Sequence, residues 1–409
     1  MGKLHKIGKE TFASLLVRNY RLYFTGQAIS LCGTWMQSIG QAWLVLQMTN
    51  SGTQLGFVIA VQTIPILFLG PWGGLIADRF SKRRKLYYTQ SISAFLALLL
   101  GVLVITNSVQ LWMVYVLAFC LGLVNAVDNP TRQTFIPELV GKEKLTNAVS
   151  LNSIEINLAR VVGPAIGGIL IASLGLAPLF ILNGISFIAV IFALYMMNGS
   201  EFSQVASVKK ISGQLLEGFR YIKSNPILFD TLLMMSIIGT LTYEFSVSLP
   251  LLAQFTFNGT AQTYAVLSIA MGVGSMLGGF YVANAKKTSQ KNLVLGAFLF
   301  GISVLVAAIM PTLSFELLAI VLIGFFSIIF LSNGNVILQL ESAPEMRGRV
   351  MSLWAVAFLG STPIGGPIIG WIGEHIGPRY SLLVGGIAAL SAAYIGMRSL
   401  KRRNKNLKI

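Results

Sequence analysis

Apolar residues in this chain gather into long stretches separated by short polar segments. Twelve such stretches lie at about 20–48, 53–77, 85–106, 110–136, 146–174, 177–197, 227–254, 262–284, 292–310, 314–340, 348–374 and 379–397. A bilayer core of about 30 Å is crossed by about 20 helical residues, so every stretch reaches across. Barrel strands would be short and strictly alternating, and no such alternation occurs. The pattern predicts an all-α integral membrane protein with twelve transmembrane helices.

Composition agrees. Of 409 residues, 55% are hydrophobic and 11% charged, against roughly 25% charged in soluble domains. The net charge is +16, and its placement decides what it means. Apart from Arg160 and Arg379, every Lys and Arg lies in, or within about four residues of, the segments before the first run, after each even-numbered run, and after the last. Basic segments stay in the cytoplasm. Both termini are therefore expected there. Charge scattered over separate juxtamembrane segments does not make a nucleic-acid surface. The first 21 residues lack a short apolar core with a cleavage site, so the first run is expected to act as an uncleaved insertion signal. Cys32 and Cys120 sit inside apolar runs and offer neither a disulfide framework nor a metal spacing.

The chain repeats itself at an offset of about 205 residues. Pro137-Glu138-Leu139-Val140-Gly141-Lys142 answers Pro344-Glu345-Met346-Arg347-Gly348-Arg349. Gly163-Pro164-Ala165-Ile166-Gly167 answers Gly366-Pro367-Ile368-Ile369-Gly370, and Gly52-Thr53 answers Gly259-Thr260. Two six-helix pseudo-repeats follow. The expected organisation is an N-terminal tail 1–19, a bundle 20–197, a linker 198–225, a second bundle 226–397 and a basic tail 398–409. Within the linker, apolar residues at 211, 215, 219 and 222 predict an amphipathic helix on the membrane surface. Paired bundles of like orientation are a transporter plan, with the substrate near midplane between them.

Polar side chains within membrane runs are costly and therefore informative. The first run carries Gln27, Ser30, Thr34, Gln37, Ser38 and Gln41 at helical steps of three and four. At the repeat offset the seventh run carries Ser236, Thr240, Tyr243 and Glu244. Such stripes serve either as interhelical hydrogen bonds or as a cavity wall. Glu244 is a candidate for a coupling proton or a cationic substrate. Asp128 and Arg160, near the basic ends of runs four and five, are candidates for a gate pair or a coupling site. Small residues at G-x-x-x-G spacing, Gly70/Gly74, Gly163/Gly167, Gly274/Gly278 and Gly366/Gly370, predict close helix contacts. The loop GGLIADRFSKRRK at 73–85 concentrates charge between two runs. A plain anchor has no need of Asp78, so Asp78 is expected to have a specific partner near Gly348, with Arg79 or Arg83 reaching Asp128.

The loop Gly74-Leu75-Ile76-Ala77-Asp78-Arg79-Phe80-Ser81-Lys82-Arg83-Arg84 resembles the signature between helices two and three of the major facilitator superfamily, with Ser81 for the usual glycine. Gly163-Pro164-Ala165-Ile166-Gly167-Gly168 is similar to the motif of its proton-antiporter branch, although an earlier glycine is Ala159 here. Asn157-Leu158-Ala159-Arg160 and Asn129-Pro130-Thr131-Arg132-Gln133 resemble the bacterial group of enterobactin and macrolide exporters. The resemblance implies the major facilitator fold and a cavity lined by the polar stripes of runs one and seven. It also implies sliding contacts between runs two and eleven and between five and eight, with Asp78, Arg79, Arg83 and Asp128 as a cytoplasmic gate. Many drug–proton antiporters carry an arginine in run four where this chain has Ala118.

No G-x-x-x-x-G-K-[ST] loop is present, so no nucleotide engine is expected. His5 and His375 lie far apart, and no nucleophile–base or metal constellation appears. The expectation is no enzyme, no metal and no cofactor beyond a proton gradient. It is a secondary transporter exporting a small amphipathic, drug-like compound, acting within the lipid bilayer as a monomer. Siderophore or metabolite export, import, and a non-transporting membrane receptor are the competing readings.

Overall fold

Helix is the only regular structure among the residues described by the computed structural model, 12–79, 81–203, 214–284, 288–358 and 360–406; side chains at 70–79, 142, 214–216 and 403–406 are not among those described. The helices are α1 (Arg18–Thr49), α2 (Gly52–Arg79), α3 (Lys82–Ile105), α4 (Leu111–Gly141), α5 (Glu143–Leu174) and α6 (Ala177–Met196), followed by the short α7 (Gln214–Ser224). Then come α8 (Pro226–Leu241), α9 (Phe245–Leu251), α10 (Ala261–Asn284), α11 (Gln290–Ile309), α12 (Leu313–Leu340), α13 (Arg347–Phe358), α14 (Thr362–His375) and α15 (Pro378–Asn406). Eleven stretches are long and apolar enough to cross a membrane. With 32 residues, α1 is long enough to be the twelfth; the glutamines and hydroxyls of its polar stripe hold down its hydropathy.

Two of the twelve spans are broken. The seventh run is α8 and α9, interrupted at Thr242–Glu244 and continuing into a π-helical turn at Leu252–Thr256. The eleventh is α13 and α14, where Ser361 precedes a helix that carries proline in its first turn. Proline suits the first turn of α14, while the Ser361 hydroxyl donates back to Phe358 O at 2.8 Å and does not cap the new helix. The fourth and fifth runs are continuous except at Gly141, whose φ of 69° is a backbone state that L side chains rarely adopt. Glycine there lets α4 end and α5 begin within one residue.

The chain forms two compact units: Met1–Gln41 with Pro65–Lys210, and Ala42–Ile64 with Ile211–Ile409. The end of α1 and the first half of α2 thus belong with the second repeat. In the first unit an apolar cluster gathers Tyr20, Tyr23, Leu86, Phe135, Leu139, Leu151 and Leu194. The charged loop tightens the same end. Lys82 pairs with Glu138 at 2.6 Å and donates to Thr134 O. Arg83 donates to the carbonyls of Leu194 and Tyr195 at 2.8 and 3.1 Å, closing the end of α6 as cations do. A basic first turn opposes the dipole of α3, and both side chains turn instead to acceptors on neighbouring helices.

In the second unit α10 and α12 approach through glycine. A Cβ on Gly274 would stand 2.0 Å from Val321 O, one on Gly278 2.5 Å from Phe325 O, and one on Gly324 2.2 Å from Met271 O. The linker helix is anchored by protein as well as by its apolar residues. On α7, Glu217 pairs with Arg349 at 2.6 Å, Gly218 lies against Arg349 and Leu353 of α13, and Tyr221 accepts from Ala343 N. Ile222 is buried, whereas Phe219 of the expected apolar stripe is exposed. Positions 211 and 215 fall outside the described side chains.

Gly274→Ala should cost about 1–3 kcal/mol through overpacking, read as a lower thermal unfolding midpoint in detergent. Gly279→Ala, where a Cβ meets nothing within 4 Å, should lose no stability.

Candidate functional site

Glu244 stands where both broken spans meet. It is buried, at the start of α9, and Thr362 in the first turn of α14 hydrogen-bonds its carboxyl. Its Oε1 has no hydrogen-bond partner. Glycine makes this approach possible. A Cβ on Gly365 would lie 1.8 Å from Thr240 O and 2.9 Å from Glu244 Oε1. The break in the seventh span is pinned on its other side by Thr242 Oγ1, which donates to Gly385 O of α15 at 2.7 Å. Burying this carboxyl is costly, and the hydrogen bond from Thr362 offsets part of that cost.

Aromatic rings adjoin it. Tyr243 packs edge-on against Phe358 at 5.0 Å, Phe245 at 5.7 Å and Phe300 at 6.3 Å, and Trp354 stacks on Phe358. The Trp354 Nε1 is buried and has no acceptor. These rings pack on one another next to the break in the seventh span, and Phe245, Phe300 and Phe358 are buried.

Further along α14 the same helix holds α2. Glu374 accepts from Ser51 Oγ at 2.6 Å and from Thr53 N at 2.9 Å, capping the first turn of α2. Gln254 donates to Asn50 at 2.8 Å. Between these polar contacts the backbones nearly touch. A Cβ on Gly370 would stand 2.2 Å from Gly52 O, and one on Gly56 2.3 Å from Gly366 O.

The glycine pairs therefore divide differently from expectation. Gly366 and Gly370 do meet the second span, with Pro367 inside the same helix. Gly163 and Gly167 face Cys32, Trp35 and Met36 of α1, with Pro164 between them, and Gly274 and Gly278 face α12. The nearest atoms to those two pairs belong to helices of their own repeat. Spacing shows that a helix is approached closely but not by which neighbour. The side chains of Gly70, Gly74, Asp78 and Arg79 lie outside those described, and with them the expected partner of Asp78.

In the first unit Asp128 accepts from Thr89 Oγ1 at 2.5 Å and Gln90 Nε2 at 2.9 Å, and pairs with Arg132 one turn along α4. Arg132 also donates to Gln27. Of the three arginines expected as partners of Asp128, Arg83 and Arg160 are engaged elsewhere, and the side chain of Arg79 lies outside those described. Arg83 is held at the end of α6, and Arg160 lies over the Trp35 ring at 5.0 Å. The stripe of α1 also divides. Gln27 and Gln37 face neighbouring helices, Gln37 accepting from Asn183 Nδ2 of α6 at 2.6 Å. Ser30 is buried without a partner, Thr34 and Ser38 are exposed, and Gln41 is half-buried. In α8, Ser236 and Thr240 bond carbonyls of their own helix.

Sequence reasoning passed over Arg132, Glu155, Glu316 and Glu374. Arg132 was visible as the i+4 partner of Asp128. Glu155 and Glu316 were visible as acids within or beside apolar runs; both are buried. Nothing local marked Glu374, whose partner is 321 residues distant.

A family model described as transmembrane secretion effector matches residues 9–408. The staphyloferrin A transporter of Staphylococcus aureus is 27% identical over 90% of this chain and 93% of its own. The multidrug efflux pump Tap of Mycolicibacterium fortuitum is 26% identical over 81% and 85%. Among solved structures, the nucleoside transporter NupG aligns with a TM-score of 0.72 at 16% identity, covering 95% of this chain and 99% of its own. That likeness bears on the fold alone.

If the Gln37–Asn183 contact is an interhelical bond, Gln37→Leu alone strands Asn183 and costs about 1–3 kcal/mol. Gln37→Leu with Asn183→Leu should recover most of that loss in the same unfolding assay.

Proposed function

This chain belongs to the transmembrane secretion effector family of the major facilitator superfamily, a family of membrane transporters, and from that premise we propose proton-coupled export of a small amphipathic organic compound. The reading places the protein in the bacterial inner membrane as a monomer, with both termini cytoplasmic, because of the one-sided basic segments. The observation that carries it is the buried Glu244 carboxyl between two interrupted helices. Broken spans in transporters present half-helix ends to substrates and ions. An oxygen lacking a protein partner is available to a proton or to a cationic group.

In this reading a proton on Glu244 and substrate at the adjoining aromatic wall compete for one carboxyl. Exchange of one for the other links export to the proton gradient. The contact between α14 and α2 closes the cavity on the non-cytoplasmic side and parts when the cavity opens outward. On the cytoplasmic side the gate involves Asp78 and Arg79, with Asp128 holding Arg132 behind it. Arg160 has its support in Trp35. A siderophore cargo is the second reading, favoured by similarity to the staphyloferrin A transporter.

The test takes lipophilic organic cations and siderophores and measures their efflux from cells with and without a protonophore. For a compound the wild type exports, Glu244→Gln should lower the protonophore-sensitive efflux about tenfold or more, about 1.4 kcal/mol in the coupled step. Wild-type proton-driven efflux in Glu244→Gln would overturn the coupling role. In a background with Cys32 and Cys120 replaced by alanine, cysteines at Ser51 and Glu374 joined by a short reducible cross-linker should arrest export. Cleaving the linker should restore it, and unhindered export by cross-linked protein would refute the outer closure.

A further inference from the structure

Glu155 lies twelve residues into α5, roughly 18 Å from its start at 1.5 Å per residue. It is buried, and its Oε1 makes no hydrogen bond. The charged group acting on it is Arg132 of α4. That guanidinium already pairs with Asp128 and donates to Gln27. Asp128 has the further support of Thr89 and Gln90 from α3. Two carboxyls thus share one cation, and the hydrogen bonds favour Asp128.

Among the described residues, the other neighbours bring no second cation to Glu155. From α1, Tyr20, Tyr23 and Cys32 are within electrostatic reach of Glu155. Tyr20 donates its hydroxyl to Ala148 O at 2.8 Å. Lys85, one turn before Thr89 on α3, has an interaction of its own and is not among the charges acting on Glu155. Arg160, further along α5, lies over Trp35. In the same network Gln27 Nε2 and Gln90 Oε1 are buried without partners. A buried carboxylate that must share its cation with a better-supported neighbour is costly to keep ionised, and binding a proton removes the charge.

We propose that Glu155 is a second proton-binding site, housed within the first unit and distinct from Glu244. It holds a proton while Arg132 is paired with Asp128. It releases the proton when the guanidinium turns to it, the two carboxyls exchanging one cation. In that step the O–H bond of Glu155 breaks and the proton passes to water; nothing is oxidised or reduced. Asp128 is then a positioning residue that acts through Arg132. The site stands on its own geometry, whichever cargo the transporter carries.

The test needs no cargo. Infrared difference spectra of the purified protein in liposomes, recorded through a pH change, read the C=O stretch of a protonated carboxyl. The wild type should show separate bands for Glu155 and Glu244. Glu155→Gln should remove one and leave the other, and Glu244→Gln should do the reverse. Asp128→Asn should free Arg132 for Glu155 and abolish the Glu155 band where the wild type shows it, an effect that simple loss of packing would not produce. Should Glu155→Gln fail to fold, Glu155→Asp keeps the acid and should displace the band. A Glu155→Gln spectrum identical to wild type, or a Glu155 band that persists in Asp128→Asn, would overturn the proposal.

Discussion

Breaking a helix inside a membrane leaves backbone amides and carbonyls that no water is there to satisfy. The second unit depends on how its two breaks are covered. Thr242 reaches across to Gly385 O, so the seventh span is sealed by α15. The proline-led first turn of α14 restarts the eleventh span. Gly365 lets that new start come against Thr240 and Glu244 with no side chain between them. Each break covers the other, and the carboxyl lies in the joint. The same α14 then presents Gly366, Gly370 and Glu374 to α2. One short helix therefore carries both the contact to the buried acid and the contact to the second span.

That arrangement explains why the compact units depart from the two repeats at residues 42–64. The start of α2 is glycine-lined and lies backbone to backbone against α14, whose Glu374 reaches its first turn. Glu374 provides the acceptor that its own flanking sequence supplies only in part, Ser51 being used to bond both Glu374 and Gln54 N. Small residues and a capping carboxylate do together what apolar bulk does in a soluble core, since lipid gives no hydrophobic drive between helices.

Much of this was legible in the sequence. The twelve spans follow from run length, and the position of Glu244 from the repeat. Their interruptions were not visible, because Thr242-Tyr243-Glu244 and Gly360-Ser361 sit within runs that remain apolar on both sides. Partners were less legible than positions. Asp128 was marked by its cost in the membrane, but the partners expected for it were Arg79, Arg83 and Arg160, all more remote in sequence than Arg132. The stripe on α1 suggested one wet face. Gln37 instead turns to Asn183, because α6 offers a buried amide at the right height. Periodicity assigns a residue to a side of its helix, and only the packing of helices assigns that side a neighbour.

The pairing of α2 with α14 also has a timetable. Thr53 and Glu374 are 321 residues apart, and at about 5–20 residues per second of synthesis the acceptor emerges roughly 15–60 s after the helix it caps. Throughout that interval the start of α2 has only the local bond from Gln54 N to Ser51 Oγ. A helix made early in the chain thus receives its second acceptor only when α14 has been made.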